Sequence, residues 1–338
     1  MTTMAQVARV AGVSIATVSY VVNGTRQVRA ETKERVEQAI ARTGYTHNTL
    51  ARSLATSSTD SIGVVVSAIT NPFFAEVLGG VDSAAGRAGR TLLFADSHDE
   101  PDLEFQVVHS LLQRRVDGVV LAPSTDPART LEHLAAAKVP TVLVDRLVDD
   151  RFDQIGPENE ESTATLVRHL AELGHRRIGM VTGLAGLVTT EERLIGYHIG
   201  LERAGLPYDT SLIADGHSDI AGGRVATQHL LARPTPPTAL IIGNNSMVIG
   251  SMRALRDAGV SIPQDMALVS YDDLPGADLF APPLTAFAQP CAELGERAIR
   301  MLLDRFEDPG AAPRTERLEP RLMHRRSCGC VGVGVGGT

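Results

Sequence analysis

A chain of 338 residues with 43% hydrophobic and 21% charged side chains holds enough apolar material for a large core and two or three domains, and too much for a disordered or fibrous polypeptide. No apolar run approaches the ~18 residues of a membrane span, no basic head followed by an apolar stretch marks an export signal, and Cys291, Cys328 and Cys330 make no disulfide framework. A cytoplasmic protein with no membrane partner is expected. The net charge of −8 disfavours nucleic acid until its distribution is read: residues 1–60 carry seven Lys/Arg against four Asp/Glu, a balance of +3, leaving −11 for the remainder. That is the asymmetry of a small phosphate-facing head on an acidic body.

In chain order, Met4, Val7, Ala8 and Ala11 recur at helical spacing and predict a first short helix. Gly12 follows, where a chain reversal can use positive φ without steric cost. Ser14 suits the N-cap of a second helix whose inward face is Val18, Val21 and Val22. Ala8, Gly12 and Val18 supply the small contact residue, the turn glycine and the apolar anchor that two steeply crossing helices need, which is the helix-turn-helix requirement. The outward face holds Ile15, Ala16, Ser19 and Tyr20, with Ser14 and Thr17 at its start, and carries no charge. Small hydroxyls at a helix N-terminus suit phosphate oxygens, and Ile15 and Ala16 suit thymine methyls. Asn23-Gly24 predicts a turn, and Thr32 the cap of a third helix running through Arg42 to Gly44, with Val36, Ala39 and Ile40 closing a three-helix core.

Next comes HNTLARSLATSSTD, where Asn48 can cap a helix to about Ala55. At roughly eight residues it falls below the ~12–15 needed for a stable lone helix, so it is expected to be helical only when docked. Leu50 and Leu54 share one face; a dimer on a bent duplex would bury them, one leucine entering the minor groove and kinking a base step.

From Ser61 onward, short apolar runs alternate with helix-length segments: IGVVVSA, TLLFADS, GVVLAP and VPTVLVD, then RIGMVTG, TALIIGN, MALVSYDD and LTAFAQ. Fully apolar strands in this alternation predict parallel sheets covered on both faces. The series restarts near residue 175, as if one α/β unit were used twice, which places a ligand cleft between the strand C-terminal ends of two doubly wound subdomains.

Several strand ends carry groups suited to a small polar ligand. Phe73 and Phe74 follow Asn71-Pro72 after the first run, where an aromatic ring can stack on a sugar or base. Arg146 follows the fourth run. Arg193 comes a turn after RIGMVTG, and Asp272 ends MALVSYD; an arginine and a carboxylate converging on one cleft suit the capture of hydroxyls or an acid. The ten histidines are scattered with no HExxH or His/Cys ligand spacing, so no metal site is expected, and Cys328 and Cys330 read as part of a free tail. No nucleophile elbow, P-loop or dinucleotide fingerprint occurs, so neither catalytic residues nor a cofactor is expected, and GVGVGGT is low-complexity.

VARVAGVSIATVSYVVNG, followed by VRAETKERVEQAIARTGY and NTLARSLAT, closely resembles the DNA-binding head of the lactose-repressor and purine-repressor (LacI) family of bacterial transcription regulators. NPFFAEVLGGVDSAAGRAGRTLL, RRVDGVVL, HLAELGHRRIGMVTG, RLIGYHIGLERAGL and IPQDMALVSYDD are similar to the same family's effector-binding core, related to periplasmic sugar-binding proteins. The resemblance implies that Ile15, Ala16 and Tyr20 read bases, that Ser14, Thr17, Ser19 and Asn23 lie on phosphates, and that Leu54 is the minor-groove lever with Ala51 and Arg52 beside it. It places Arg193 and Asp272 at effector-contacting positions and adds Thr189, Asn244 and Gln289. Departures are His47 where proline usually precedes the hinge, Asn245 where aspartate is common, Glu158 where aspartate often occurs, and Leu187 where the purine branch has a polar contact. A sugar or sugar acid is therefore favoured over a purine.

The expected organisation is a helix-turn-helix head over 1–46, a hinge helix and linker over 47–60, an effector-binding and dimerisation core over 61–330 and a flexible tail over 331–338. Within the core, an N-subdomain of about 61–158 plus 288–318 and a C-subdomain of about 159–287 plus 319–330 exchange the chain. The expected function is a ligand-responsive repressor, a homodimer or a tetramer of such dimers on near-palindromic double-stranded operator DNA. Cleft closure around a sugar-like effector would move the subdomains and bring the paired hinges together or apart. A solute-binding protein or sugar-processing enzyme built on the same body is the rival, and the head argues against both.

Overall fold

The computed structural model describes residues 2–23, 26–45 and 58–330. The expected hinge helix with Ala51, Arg52 and Leu54, the tail, and the Asn23 side chain lie outside the described residues. The chain divides into two compact units, Met1–Thr59 and Asp60–Thr338.

In the first unit, α1 (Met4–Ala11) opens on a reciprocal cap: the Gln6 amide N–H donates to Thr3 Oγ1 while the Thr3 N–H donates to Gln6 Oε1. Gly12, at φ 66°, ends it in the left-handed region. Behind Ser14, α2 (Ile15–Asn23) sets off with its axis turned by 104° from that of α1, within the range of a helix-turn-helix. The third helix, α3 (Ala30–Thr43), starts two residues before the expected cap. Arg29 is its N-cap residue, with no side-chain cap, and its carbonyl accepts from Thr32 N and Lys33 N. Thr32 thus sits inside the first turn, while Glu31 places a negative charge at the helix start, where it is favoured. Val7, Ala8, Ala11, Val18, Val36 and Ala39 form the buried core.

The second unit runs β1 (Ser61–Val66), α4 (Pro72–Arg87), β2 (Thr91–Asp96), α5 (Pro101–Gln113), β3 (Gly118–Leu121), α6 (Ala128–Ala137), β4 (Thr141–Val144) and β5 (Asp153–Pro157). It continues through α7 (Glu160–Glu172), β6 (Ile178–Thr182), α8 (Val188–Arg203), β7 (Ile213–Asp215), α9 (Ile220–Leu231), β8 (Ala239–Ile242) and α10 (Asn245–Asp257). Last come β9 (Ala267–Ser270), β10 (Thr285–Ala288), α11 (Cys291–Glu307), β11 (Thr315–Leu318) and β12 (Arg321–Met323). Two six-stranded sheets result, ordered β11-β5-β4-β3-β1-β2 and β12-β10-β9-β8-β6-β7. The two orders are copies of one another, and the only antiparallel pair among the described strands is β10 with β12. The chain crosses between sheets after β5, returns after β10, and crosses again between β11 and β12.

β1, β3, β4, β6, β8 and β9 are buried along their whole length, as their unbroken apolar runs require. β2 departs from that expectation: it is an edge strand with exposed positions, including Phe94. The segment ending at Cys330 is not a free tail either. Ser327 Oγ donates to the Leu268 carbonyl at 2.6 Å and accepts from Thr285 N at 2.8 Å, stitching it across β9 and β10. Cys328 is thereby fully buried among Leu166, Leu170, Val269 and Phe287.

Helices α4 and α11 touch backbone to backbone through two glycines. A methyl on Gly80 would overlap the Ala292 carbonyl, and one on Gly295 the Val77 carbonyl. Gly80→Ala or Gly295→Ala is expected to destabilise the body by about 1–3 kcal/mol, the usual penalty of overpacking. The double variant should cost less than the sum, because both changes relieve the same contact. Urea unfolding monitored by circular dichroism measures both, and unshifted midpoints would refute the close packing.

Candidate DNA-reading face and effector cleft

Within the head, Ile15 is 54% exposed, a large apolar group on a helix surface. Ser14 and Ala16 are exposed beside it, and Thr17, Ser19 and Tyr20 are half-buried on the same helix. Ser14 Oγ already accepts from Thr17 N at 3.1 Å and lies 2.8 Å from Thr17 Oγ1, so these hydroxyls cap α2 as well as facing outward. Sequence reasoning missed Arg26, whose guanidinium stands 5.4 Å from the centre of the Tyr20 ring. It orients the ring and brings positive charge to this face; its signal was a lone cation just past the second helix.

In the body, a cavity of about 250 Å³ opens at the carboxyl ends of the strands of both sheets, the crevice that this strand order creates. Phe73, Phe74, Arg146 and, from the second sheet, Thr189, Arg193, Asn244, Asp272 and Gln289 all line it. Phe73 and Phe74 meet edge to face at 5.0 Å and also belong to the core beneath. Arg146 is clamped by Asp99, by the Pro123 carbonyl and by Ser67 Oγ at 3.0 Å, with Nε 3.4 Å from Asp145 Oδ2. Arg193 donates to Asn159 Oδ1 at 2.9 Å and to the Gly243 carbonyl at 2.6 Å, and its guanidinium lies 3.9 Å from the Tyr271 ring centre. Asp272 accepts from Gln289 Nε2 and from Asn245 N. Gln289 Oε1 is buried without a hydrogen-bond partner. Asn244 is occupied as the cap of α10, accepting from Met247 N and donating to the Ser218 carbonyl.

Asp99, Asp145, Asn71 and the pair His98 and His217 also line the cavity and were not found from sequence. The histidines sit in matching turns of the two repeats: Asp96 Oδ1 accepts from His98 N, and Asp215 Oδ1 from His217 N. His98, Asp99, Asp145, His217 and Ser218 all have φ between 51° and 71°. Such left-handed backbone in non-glycine residues is uncommon and concentrates at binding sites. Across the cavity, Asn245 Nδ2 donates to Asn71 Oδ1 at 2.8 Å and links the two sheets' lobes. The Asn245 departure thus has a local reason, because an aspartate would lack that donor. Glu158 has one too: its carboxylate accepts from Glu161 N and Ser162 N and caps α7. Leu187 is 3% exposed at the cavity wall.

Burial raises the Asp145 carboxyl to about 6; Arg146 and Arg193 oppose the shift, and Asp272 and Asp99 add to it. Burial also raises Asp272, against the pull of Arg193 and the Gln289 hydrogen bond.

A helix-turn-helix head whose outward face exposes Ser14, Ile15 and Ala16, and a two-lobed body with a polar cleft, define a DNA-binding regulator with a small-molecule site. Residues 3–48 match the family model for bacterial regulatory proteins of the lacI family, and residues 167–328 match that for a periplasmic binding protein-like domain. The ribose operon repressor of Escherichia coli (strain K12) is 36% identical over 97% of this chain and 100% of its own. The Lac repressor dimer solved bound to operator and the anti-inducer ONPF is similar at a TM-score of 0.87 and 30% identity, covering 97% of this chain and 99% of that one. A transcriptional regulator CelR–cellobiose complex has a TM-score of 0.75 at 31% identity, over 97% of this chain and 100% of that one. The chain belongs to the lacI family of bacterial regulatory proteins: it is a DNA-binding transcriptional regulator with a ligand-binding core.

Because burial lifts the Asp145 carboxyl from its ordinary 3.8 to about 6, the native protein binds this proton more tightly than the unfolded chain does. The group's contribution to stability is therefore full below pH ~4 and lost as pH rises through ~6. Asp145→Asn removes that dependence. Native stability is expected to fall relative to the variant by on the order of 3 kcal/mol between pH 4 and 7. Paired chemical denaturations across that range measure it, and a pH-independent difference would show that Asp145 titrates normally.

Proposed function

We propose that this regulator binds a near-palindromic operator as a homodimer through the outward face of α2 in each head, and that a neutral sugar-like polyol in the cleft changes that affinity. Whole-length similarity to a repressor dimer solved on its operator supports the first part. The charge pattern of the cleft supports the second. Three carboxylates, Asp99, Asp145 and Asp272, converge with two guanidiniums that are already partly committed to protein acceptors. An added anion would face this surplus of negative charge. Hydroxyls can instead donate to the carboxylates, accept from the guanidiniums and lie against Phe73. The single observation that carries the reading is Gln289 Oε1, buried beside Asp272 with no partner, an acceptor that one hydroxyl would satisfy. The ribose operon repressor and the cellobiose complex among the relatives point to the same ligand class. Apolar Leu187 in the wall offers a purine no polar contact. Binding can shift operator affinity only through differential contacts with two arrangements of the lobes.

Asp272→Asn is expected to raise the Kd of the bound sugar on the order of 10- to 100-fold, the cost of ~1.5–3 kcal/mol for a hydrogen bond to a charged group. Operator affinity without ligand should not change. Calorimetric titration with pentoses, hexoses, disaccharides, aldonic acids and nucleosides tests the class, and binding confined to acids or nucleosides would overturn it. In the head, Ile15→Ala should cost on the order of 1 kcal/mol, several-fold in operator Kd. The loss should shrink on an operator carrying uracil for thymine, and an equal loss on both duplexes would remove the methyl contact.

A further inference from the structure

Outside the set of residues that line the cleft, the closing segment meets the end of α7 in a cluster of four soft donors. His169 comes from the last turn of α7, His324 follows β12, and Cys328 and Cys330 flank Gly329. One ligand atom from each lies within 4.8 Å of all the others. His324 Nε2 is 3.0 Å from Cys330 Sγ and 3.6 Å from Cys328 Sγ, and His169 Nε2 is 3.5 Å from Cys330 Sγ. Around a tetrahedral zinc ion, with Zn–S about 2.3 Å and Zn–N about 2.0–2.1 Å, neighbouring donors stand roughly 3.3–3.8 Å apart. The observed spacings need only small side-chain adjustments to reach that.

We propose that His169, His324, Cys328 and Cys330 form a structural zinc site that fastens the closing segment to α7. Four protein donors complete the tetrahedron and leave no open position, the mark of a structural rather than a catalytic centre. Two thiolates with two imidazoles select zinc over the hard cations, which prefer oxygen. Binding takes up both sulfurs as thiolates and both imidazoles as neutral ligands, releases two protons if the free cysteines are thiols, and leaves the centre uncharged. The surroundings are prepared for it. Thr285 Oγ1 accepts from Arg325 N at 2.9 Å, so its own hydrogen is available to Cys328 Sγ at 3.4 Å, the outer contact that holds a metal-bound sulfur. Cys328 is fully buried in the apolar core of the second sheet, which excludes water from one side of the cluster. His169 and Cys330 are 161 residues apart, so one ion closes nearly half the chain into a loop. The two imidazole rings meet edge to face at 4.9 Å, with both Nε2 atoms turned towards sulfur.

The test uses the full-length protein purified under reducing conditions without chelator. Mass spectrometry of the metal content should find about one zinc per chain. After zinc is stripped, cobalt(II) should give the strong visible absorption of a tetrahedral ion together with thiolate charge-transfer bands. Cys328→Ser risks misfolding because the residue is buried, so Cys330→Ser and His324→Gln, at half-buried positions, carry the comparison. Each should lower zinc affinity on the order of 100-fold or more, since even partners outside the coordination shell are worth about 10–100-fold. Cys291→Ser, in the other lobe, should keep its zinc. The site is disproved if the reduced protein retains no zinc and gives only the weak spectrum of octahedral cobalt. Zinc retained at full affinity by both Cys330→Ser and His324→Gln would disprove it equally, as would a Cys328–Cys330 disulfide that persists in reductant.

Discussion

A buried guanidinium governs the arrangement of the second lobe. Arg193 is only 9% exposed, and taking its charge out of water is tolerable only if its donors find acceptors and its faces find contacts. α8 supplies the residue, the Gly243 carbonyl at the end of β8 and the Asn159 amide at the crossover before α7 accept from it, and the Tyr271 ring beyond β9 covers a face. The arrangement does not stop there. Asn159 Nδ2 donates to Glu192 Oε2 at 2.6 Å, and Glu192 is gripped by Arg317 of β11, a strand of the first sheet. Positioning one cleft-lining arginine therefore engages the crossovers that join the lobes, through the hydrogen-bonded series Arg193, Asn159, Glu192 and Arg317.

The first lobe solves the same problem with the same means. Arg146, two residues past β4, is 5% exposed and is held by Asp99, Asp145 and the Pro123 carbonyl. Duplication of one α/β unit gives each lobe a strand-end histidine turn, while the two arginines come from different elements, Arg146 from just past β4 and Arg193 from α8. The lobes differ in the groups they present to the cleft. The first contributes the Phe73 ring and the Asp99–Arg146 pair, and the second the Asp272–Gln289 pair. Burial is what raises the Asp145 and Asp272 carboxyls here, with the nearby arginines opposing it.

Much of this was legible in the sequence, and the failures have physical causes. Unbroken apolar runs revealed the central strands because burial on both faces demands them. β7, β11 and β12 escaped because edge strands need no apolar signal, and β5 (DQIGP), although interior and buried, escaped because its Asp153 and Gln154 are satisfied by hydrogen bonds instead of forming an apolar run. The expected effector residues all reach one cavity because strand C-termini converge in this fold, a rule of topology rather than of composition. Asp99 and Asp145 were invisible, since nothing in a sequence announces an aspartate forced into the left-handed region. The cluster around Cys328 and Cys330 was invisible in the sequence because one imidazole comes from the last turn of a helix, 161 residues from Cys330, and the other from just after β12.

The described contacts that bridge the cleft mouth directly are modest. The Asn71–Asn245 hydrogen bond joins two neutral amides, and such a bond contributes about 0.5–1.5 kcal/mol net. A latch of that size biases an equilibrium between lobe arrangements by roughly tenfold at most, whereas moving a two-state population from 1:99 to 99:1 takes about 5.5 kcal/mol. On the proposed reading the larger share would come from the ligand, through charged hydrogen bonds to groups of both lobes. A molecule that touched only one lobe would bind both arrangements alike and shift neither. A ligand bridging Arg146, Asp145 and Asp99 on one side and Arg193, Asp272 and Gln289 on the other would, on that reading, convert occupancy of the cleft into a preference for one lobe arrangement.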